Sequence, residues 1–131
     1  MSTVHIFHHN DWDGKMSAAV MYQYFRGVNS VTDYKFYEVD YTMELSDIPA
    51  ELKDNDNIVF IDYSFSKDSN IMWLNKLIAK KLYKIIWIDH HKSSKEIISK
   101  PFIIDGCNCD LNTLASKFYM EIVINTKFCA T

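Results

Sequence analysis

The chain has 131 residues, the size of one ordinary domain, and its 48% hydrophobic and 24% charged residues form a globular balance that excludes disorder. Its formal net charge of −3 argues against a large, sequence-independent contact with duplex nucleic acid, which needs clustered lysine and arginine. The three cysteines cannot all pair internally, so we expect reduced thiols. No apolar run approaches the roughly 20 residues of a membrane span. The amino terminus carries no export signal, so we expect a cytoplasmic protein.

The first half of the chain predicts a strand, a helix and a second strand. Residues 3–8, TVHIFH, have the pattern of a short strand, and residues 14–27 then change to helical spacing. The inner face of this helix carries Ala18, Met21, Tyr22 and Phe25. The stretch 33–41, DYKFYEVDY, alternates and is rich in aromatic residues, which indicates a second strand before an irregular acidic segment.

The second half predicts three more strands and two helices. Two strands are predicted at residues 57–61 and 84–88, which are apolar on both faces. The helix between them is expected to begin after Ser66 as its N-cap. Residues 101–105, PFIID, are expected to form a fifth strand. The first of these helices would bury Ile71, Leu74, Ile78 and Leu82, and the last would bury Leu111, Leu114, Ala115, Phe118, Tyr119 and Ile122. Doubly buried strands that alternate with helices predict a one-domain α/β fold of three layers, a parallel sheet of about five strands with helices on both faces.

Polar side chains follow three of the predicted strands, at the point where each strand ends. They occur in HHNDWDG after the first strand, IDYS after the third and IDHH after the fourth. The carboxyl ends of parallel strands form the crevice in which ligands bind, so these segments should converge although they are far apart in sequence. The candidate residues are His9, Asp11, Asp13, Asp62, Asp89, His90 and His91.

So many carboxylates in one cleft would repel one another unless a cation neutralised them. Carboxylate and imidazole ligands together suit manganese, iron or zinc better than calcium, and the lack of thiolates argues against a structural zinc site. We expect manganese, with magnesium or another divalent ion open. Four or more carboxylates would support two ions roughly 3.5–4 Å apart, the arrangement that activates water for phosphoester hydrolysis.

Each of these residues also has a structural interpretation. Asp11 and Asp13 could form a turn and a helix N-cap, and Asp62 could cap the helix that follows it. Paired histidines can be satisfied by hydrogen bonds to the backbone, and Trp12 could either stack on a nucleobase or pack in the core. The joint placement of the whole set at three strand ends favours the metal site.

The ordered set HNDWDG, IDYS and IDHH resembles the DHH phosphoesterase superfamily and is most similar to its nanoRNase-type phosphodiesterases. The resemblance covers roughly the first 125 residues. It implies that His9 and Asp11 bind one manganese ion, that Asp13 and His90 bind the other, and that Asp62 bridges both.

The resemblance also implies roles for neighbouring residues. Asp89 would orient an imidazole, and His91 would face the substrate phosphate or help to protonate the leaving oxygen. The residues themselves suggest two further contacts. Gly14 would let the backbone pass close to the site at the start of the first helix, whose N-terminal amide groups could help to bind phosphate, or it could be a simple turn glycine. Lys92 could reach a phosphate as a point charge or could be merely solvated.

Two features leave the ligand set open. His8 is an alternative to His9, but alternation along a strand should point only one of them into the cleft, and we expect that one to be His9. Family members supply a fourth-motif aspartate downstream of the DHH triplet and then a substrate-binding C-terminal domain. Because few residues follow His91, we expect a chain truncated to the DHH domain, in which Asp105 could substitute as a ligand or simply form a turn.

Two functions of different classes follow from these observations. The first is a manganese-dependent phosphodiesterase that hydrolyses short oligonucleotides or dinucleotides with a metal-activated water. The alternative, suggested by the missing fourth motif, is a non-hydrolytic, metal-dependent nucleotide-binding module that senses or sequesters its ligand. Both take a short nucleic acid or a nucleotide as partner, neither needs a membrane, and homo-oligomerisation stays open.

Overall fold

The computed structural model of the chain describes residues 2–28, 31–98, 102–104, 107–109 and 121–124. Within these ranges the strands are β1 (Ser2–His9), β2 (Val31–Val39), β3 (Asn57–Ile61), β4 (Lys84–Asp89), β5 (Phe102–Ile104), β6 (Cys107–Cys109) and β7 (Glu121–Ile124). The helices of the same ranges are α1 (Trp12–Phe25), α2 (Asp68–Lys80) and α3 (Lys92–Ile98), with a short 3₁₀ helix at Leu45–Asp47. None of these helices is both long and apolar enough to cross a membrane.

The main sheet has five strands among the described residues, in the order β2, β1, β3, β4 and β7. All four neighbouring pairs in it are parallel, whereas β5 and β6 pair with each other in an antiparallel hairpin. The sequence-based prediction of an α/β fold built on a parallel sheet of about five strands is therefore confirmed.

The fifth strand of the main sheet is a different segment from the one that the sequence predicts. Residues 102–104 lie in the hairpin, and the strand beside β4 is β7, which contains Ile122 of the predicted last helix. Ile122 fits both the helical spacing that precedes it and a short apolar strand, so periodicity alone gave the wrong element. The other residues of that predicted helix and Asp105 lie outside the described residues.

Helices pack against both faces of the sheet. On one face α1 buries Ala18, Met21 and Phe25 against β1 and β3. On the other face α2 buries Ile71 and Leu74 in a larger core formed with β1, β3 and β4. The β1-to-β2 crossover runs towards one edge of the sheet and the β3-to-β4 crossover towards the other, so the right-handed rule places α1 and α2 on opposite faces.

Both ends of α2 differ from the prediction. Its N-cap is Lys67 rather than Ser66, and the Lys67 side chain makes no capping hydrogen bond to the helix. The helix ends at Lys80 and is followed by Lys81 in a left-handed conformation with φ 58°. Leu82 therefore lies beyond the helix and is 40% exposed instead of buried.

A buried carboxylate ties β1 to the start of β3. Asp56 is 3% exposed and accepts hydrogen bonds from the backbone N–H groups of Thr3 and Lys53, each at 3.0 Å. Its second oxygen also lies 2.9 Å from Nε2 of His5, whose Nδ1 lies 2.8 Å from the hydroxyl of Tyr37. Burial pushes the pKa of Asp56 upward, but these hydrogen bonds outweigh it and hold the pKa below its usual value.

We predict that Asp56→Asn lowers the free energy of unfolding by about 1–3 kcal/mol at neutral pH, because asparagine cannot accept from all three donors. Since the folded-state pKa is lowered, the wild-type contribution is complete above the ordinary carboxyl pKa and is lost as pH falls through the folded value. Urea unfolding at neutral pH and near pH 3 measures both effects, and the gap between wild type and variant should narrow in acid. An equal loss in Asp54→Asn, an exposed carboxylate in the preceding turn, would contradict the prediction.

Candidate metal centre

The parallel register aligns the carboxyl ends of β1, β3 and β4. The pairing of β1 with β3 and of β3 with β4 continues in step to the last residue of β3. The residues at the next level, His9, Asp62 and Asp89, therefore lie side by side at one edge of the sheet. The turn after β3 is held there by a hydrogen bond of 3.0 Å from the Asp62 N–H to the Ile88 carbonyl.

The acidic and imidazole side chains at this edge form two groups that share one residue. In each group the ligand atoms, one for each residue, all lie within 4.8 Å of one another. The first group is His9, Asp11 and Asp62, and the second is Asp62, Asp89, His90 and His91. The structure thus brings together six of the seven residues proposed from the three strand ends.

The two carboxylate oxygens of Asp11 make different contacts, one with the start of α1 and the other with His9. It is the N-cap of α1, and its Oδ1 accepts a hydrogen bond of 2.8 Å from the Gly14 N–H. Its Oδ2 lies 2.9 Å from Nδ1 of His9. Partial burial pushes the pKa of Asp11 upward, but the Gly14 hydrogen bond and the contact with His9 outweigh it, so the pKa lies below its usual value. Asp11 is therefore both a cap and an ionised candidate ligand.

Asp62 is the buried centre of the two groups. Its backbone is left-handed with φ 55°, a conformation that aspartate tolerates better than most residues. Oδ1 lies 2.7 Å from Nε2 of His90, whereas Oδ2 is buried and has no hydrogen-bond partner in the described parts of the chain. Burial, with the neighbouring charge of Asp11, raises the pKa of Asp62. A divalent cation fits these residues, because it would bind the unsatisfied oxygen and reduce the repulsion.

The buried, hydrogen-bonded carboxylate of Asp89 supports the second group. The Asp89 side chain is fully buried, its Oδ1 lies 2.6 Å from Nδ1 of His91, and its Oδ2 accepts a hydrogen bond from the Ser94 hydroxyl. The rings of His90 and His91 stack with their centroids 4.5 Å apart. Because Nδ1 of His91 faces Asp89, a metal ion or a substrate could contact this imidazole only through Nε2.

Three predicted site residues lie outside both groups. Asp13 and Lys92 are exposed in the first turns of α1 and α3, and Gly14 is buried against the end of β1. Asp13 is two positions beyond the N-cap, so helical geometry turns it away from Asp11. Its role as a metal ligand, and the substrate contacts of Gly14 and Lys92, stay predictions.

Tyr41 is a neighbour of the site that the sequence analysis did not single out. Its ring stacks on His9, with centroids 4.7 Å apart, just after the end of β2. Burial and the charges of three nearby carboxylates raise the pKa of Tyr41 to about 12. A signal was present, since VDY at 39–41 repeats the pattern of IDY at 61–63, an apolar strand end followed by aspartate and tyrosine.

A groove of about 200 Å³ adjoins the second group. Its polar end is formed by Asp62, Asp89 and His90, and its other walls are Ser17, Ile61, Ile88 and Val123. Trp12, directly after Asp11, is 78% exposed, which excludes the core-packing interpretation of this side chain. The site therefore has apolar and aromatic surface close to its acidic centre.

We predict that Gly14→Ala destabilises the fold and disturbs the position of His9. A Cβ at residue 14 would lie 1.9 Å from the His9 carbonyl oxygen, and this backbone atom cannot move without displacing the end of β1. The expected loss is about 1–3 kcal/mol of unfolding free energy, measured by urea titration. Gly27→Ala is the matched control, because its Cβ would make an ordinary contact of 3.6 Å with the Tyr24 carbonyl. Equal stability of the two variants would refute the close packing of α1 on His9.

A comparison with known protein families matches residues 3–122 to the family described as the DHH family, N-terminal domain. No curated protein matches the chain, and no solved structure matches it. The matched span covers most of the sequence and contains both groups of the candidate metal centre. The chain therefore belongs to the DHH family.

Proposed function

We propose that the chain is a cytoplasmic, manganese-dependent phosphodiesterase that hydrolyses short oligonucleotides or dinucleotides with a metal-activated water. Family membership and the clustered carboxylates and imidazoles together indicate a phosphoesterase that uses a divalent metal. One observation carries the proposal, the sharing of Asp62 by two groups of candidate ligands. A carboxylate within reach of two ligand sets is what a pair of neighbouring ions requires.

His9, Asp11 and Asp62 would hold one ion, and Asp62 with His90 would hold the second, joined by Asp13 if its side chain turns inward. Such a metal pair supplies a water of lowered pKa and positive charge for the phosphoryl oxygens. The mixture of carboxylate and imidazole ligands supports manganese over calcium. The unsatisfied oxygen of Asp62 supports the bridging position assigned to it.

Asp89 and His91 have the arrangement of an orienting carboxylate and a proton-handling imidazole. Asp89 is fixed by the Ser94 hydroxyl and faces Nδ1 of His91, so it sets the tautomer and the ring orientation of that histidine. Nε2 of His91 would then face the substrate phosphate or protonate the leaving oxygen. Lys92 and the backbone at Gly14 would add contacts to the phosphate.

The surface around the site supports a ligand that carries nucleobases. Trp12 offers an exposed ring next to Asp11, and aromatic side chains bind single strands by stacking on their bases. The groove of about 200 Å³ is smaller than the roughly 300–1,000 Å³ of pockets that enclose drug-sized ligands, so it would admit part of a nucleotide. The net charge of −3 disfavours a long duplex and favours a short substrate.

The alternative function is a metal-dependent nucleotide-binding module that does not hydrolyse its ligand. The position of Asp13 favours this alternative, because the residue is exposed and outside both groups. Without it, the second ion would lack one of the ligands that the resemblance implies. An incomplete second site could still bind a phosphorylated ligand through one ion.

We predict that the purified chain converts a linear dinucleotide to mononucleotides with Mn²⁺ and that EDTA abolishes the reaction. Asp62→Asn should lower kcat/KM on the order of 100-fold or more, since even residues that only support metal ligands are worth about 10- to 100-fold. Asparagine is preferred to alanine at this position because it tolerates the left-handed backbone. Asp54→Asn, an exposed carboxylate away from the site, should leave turnover unchanged.

Three outcomes separate the hypotheses. Turnover that is lost with EDTA and in Asp62→Asn supports the enzyme. Calorimetric binding of dinucleotide and manganese without turnover supports the binding module. A protein that binds no metal by elemental analysis and no nucleotide contradicts both.

We predict that Trp12→Leu weakens the binding of ligands that carry nucleobases. Stacking is worth about 1–3 kcal/mol for each base, so kcat/KM for a dinucleotide, or its Kd if there is no turnover, should worsen roughly 5- to 150-fold. A dinucleotide analogue without bases should be unaffected by the substitution. Tyr24→Leu removes an exposed aromatic ring from the far end of α1 and is the matched control. A similar loss with both ligands would argue against stacking.

A further inference from the structure

Tyr41 contacts both halves of the candidate metal centre. Its ring stacks on His9 of the first group, with centroids 4.7 Å apart and planes inclined by 26°. It also meets the edge of the His91 ring of the second group, with centroids 6.4 Å apart and planes at 89°. One half-buried side chain therefore limits the rotation of two imidazoles that belong to different groups.

The ring of Tyr41 is itself supported from behind. It stacks on Tyr63 with centroids 5.6 Å apart, and Tyr63 is fully buried. The Tyr63 hydroxyl accepts a hydrogen bond of 3.3 Å from Nδ2 of Asn70 in α2, and its ring packs edge-on against Phe65. Tyr41 lies between this rigid support and His9, so it cannot move away from the imidazole without losing contact with the core.

The backbone that follows Tyr41 is also fixed to α2. Oδ1 of Asn70 accepts a hydrogen bond of 2.8 Å from the Leu45 N–H, and its Nδ2 donates one of 2.9 Å to the Met43 carbonyl. Nζ of Lys67 donates a further hydrogen bond of 2.9 Å to the Thr42 carbonyl. These three hydrogen bonds fix the irregular segment after Tyr41 to the start of α2.

We propose that Tyr41 is a positioning residue of the metal centre, whose ring holds the imidazoles of His9 and His91 in the orientations needed for metal and substrate. The inference rests on the proposed function in so far as His9 is taken as a metal ligand. An imidazole turns freely about its χ2 angle unless neighbours restrict it, and a stacked aromatic ring provides that restriction. The contacts are made by the ring, so the hydroxyl is not needed for this role.

The test compares Tyr41→Leu with Tyr41→Phe and with Tyr83→Leu. Tyr83 is the matched control, because it is a half-buried tyrosine that packs against the same core just before β4, at the opposite end of the sheet. Calorimetry should show Mn²⁺ binding weakened about 10-fold or more in Tyr41→Leu, the size typical of a lost supporting contact. Tyr41→Phe should stay within about twofold of wild type, and Tyr83→Leu should be unchanged.

A second readout needs no metal. The chain has five histidines, so the imidazole signals of His9 and His91 can be assigned by NMR with His9→Gln and His91→Gln variants. In metal-free protein the NOE contacts of these two rings with their other neighbours should change in Tyr41→Leu and stay the same in Tyr83→Leu, a readout that the loss of the Tyr41 ring current does not itself alter. The NOE contacts of His5, which stacks on Tyr37 instead, should not change in Tyr41→Leu.

The outcomes distinguish this inference from the proposed function. Wild-type manganese affinity in a folded Tyr41→Leu protein would overturn the positioning role, as would equal losses in Tyr41→Leu and Tyr83→Leu. Failure of Tyr41→Phe to restore binding would also overturn it, because the hydroxyl would then be essential. A wild-type chain that binds no manganese overturns the metal centre, and the NOE contacts of His9 and His91 then decide whether Tyr41 positions the rings.

Discussion

The parallel register between β1, β3 and β4 is the constraint on which the site depends. Side chains alternate along a strand, so a slip of one residue would turn the end of a strand to the other face. Because β3 is buried on both faces, burial alone does not select the register, and Asp56 helps to fix it by binding the Thr3 backbone and the His5 ring of β1 from the residue before β3. The polar contacts at the amino end of the sheet thus help to align His9 with Asp62 at the carboxyl end.

Asp56 lies directly before β3 and Asp62 directly after it, and their different surroundings distinguish a structural carboxylate from a functional one. Asp56 and Asp62 are both buried, yet the pKa of the first is lowered and that of the second is raised. Asp56 receives two backbone N–H bonds and contacts an imidazole, whereas one oxygen of Asp62 has no hydrogen-bond partner among the described residues. The fold satisfies the first carboxylate completely and leaves the second electrostatically incomplete, as expected of a group that needs a cation.

The sequence predicted the elements in which a single physical pattern dominates. Residues 58–61 of β3 and 85–88 of β4 are uninterrupted apolar runs, and an aspartate comes directly after each run, so both strands and their polar ends could be predicted from the sequence. β7 could not, because Ile122 satisfies helical and strand patterns together. The predicted N-cap of α2, Ser66, was also wrong, because Lys67 occupies that position and its side chain makes no capping hydrogen bond to the helix. These errors concern pairing and capping, which depend on tertiary contacts.

The same limit explains which parts of the site were found. Strand ends identify residues that share an edge of the sheet, but they do not give side-chain direction, so the sequence could not show that the first turn of α1 points Asp13 away from Asp11. Tyr41 was missed because its importance lies in three ring contacts with residues remote in sequence. The site is thus held by two unrelated supports, the close packing of Gly14 on His9 at the start of α1 and the Asn70-bound segment that carries Tyr41. Since both supports restrict His9 through packed protein groups, the fold itself favours one orientation of this imidazole, and a cation bound by Asp62 would add to that preference by neutralising the buried carboxylate.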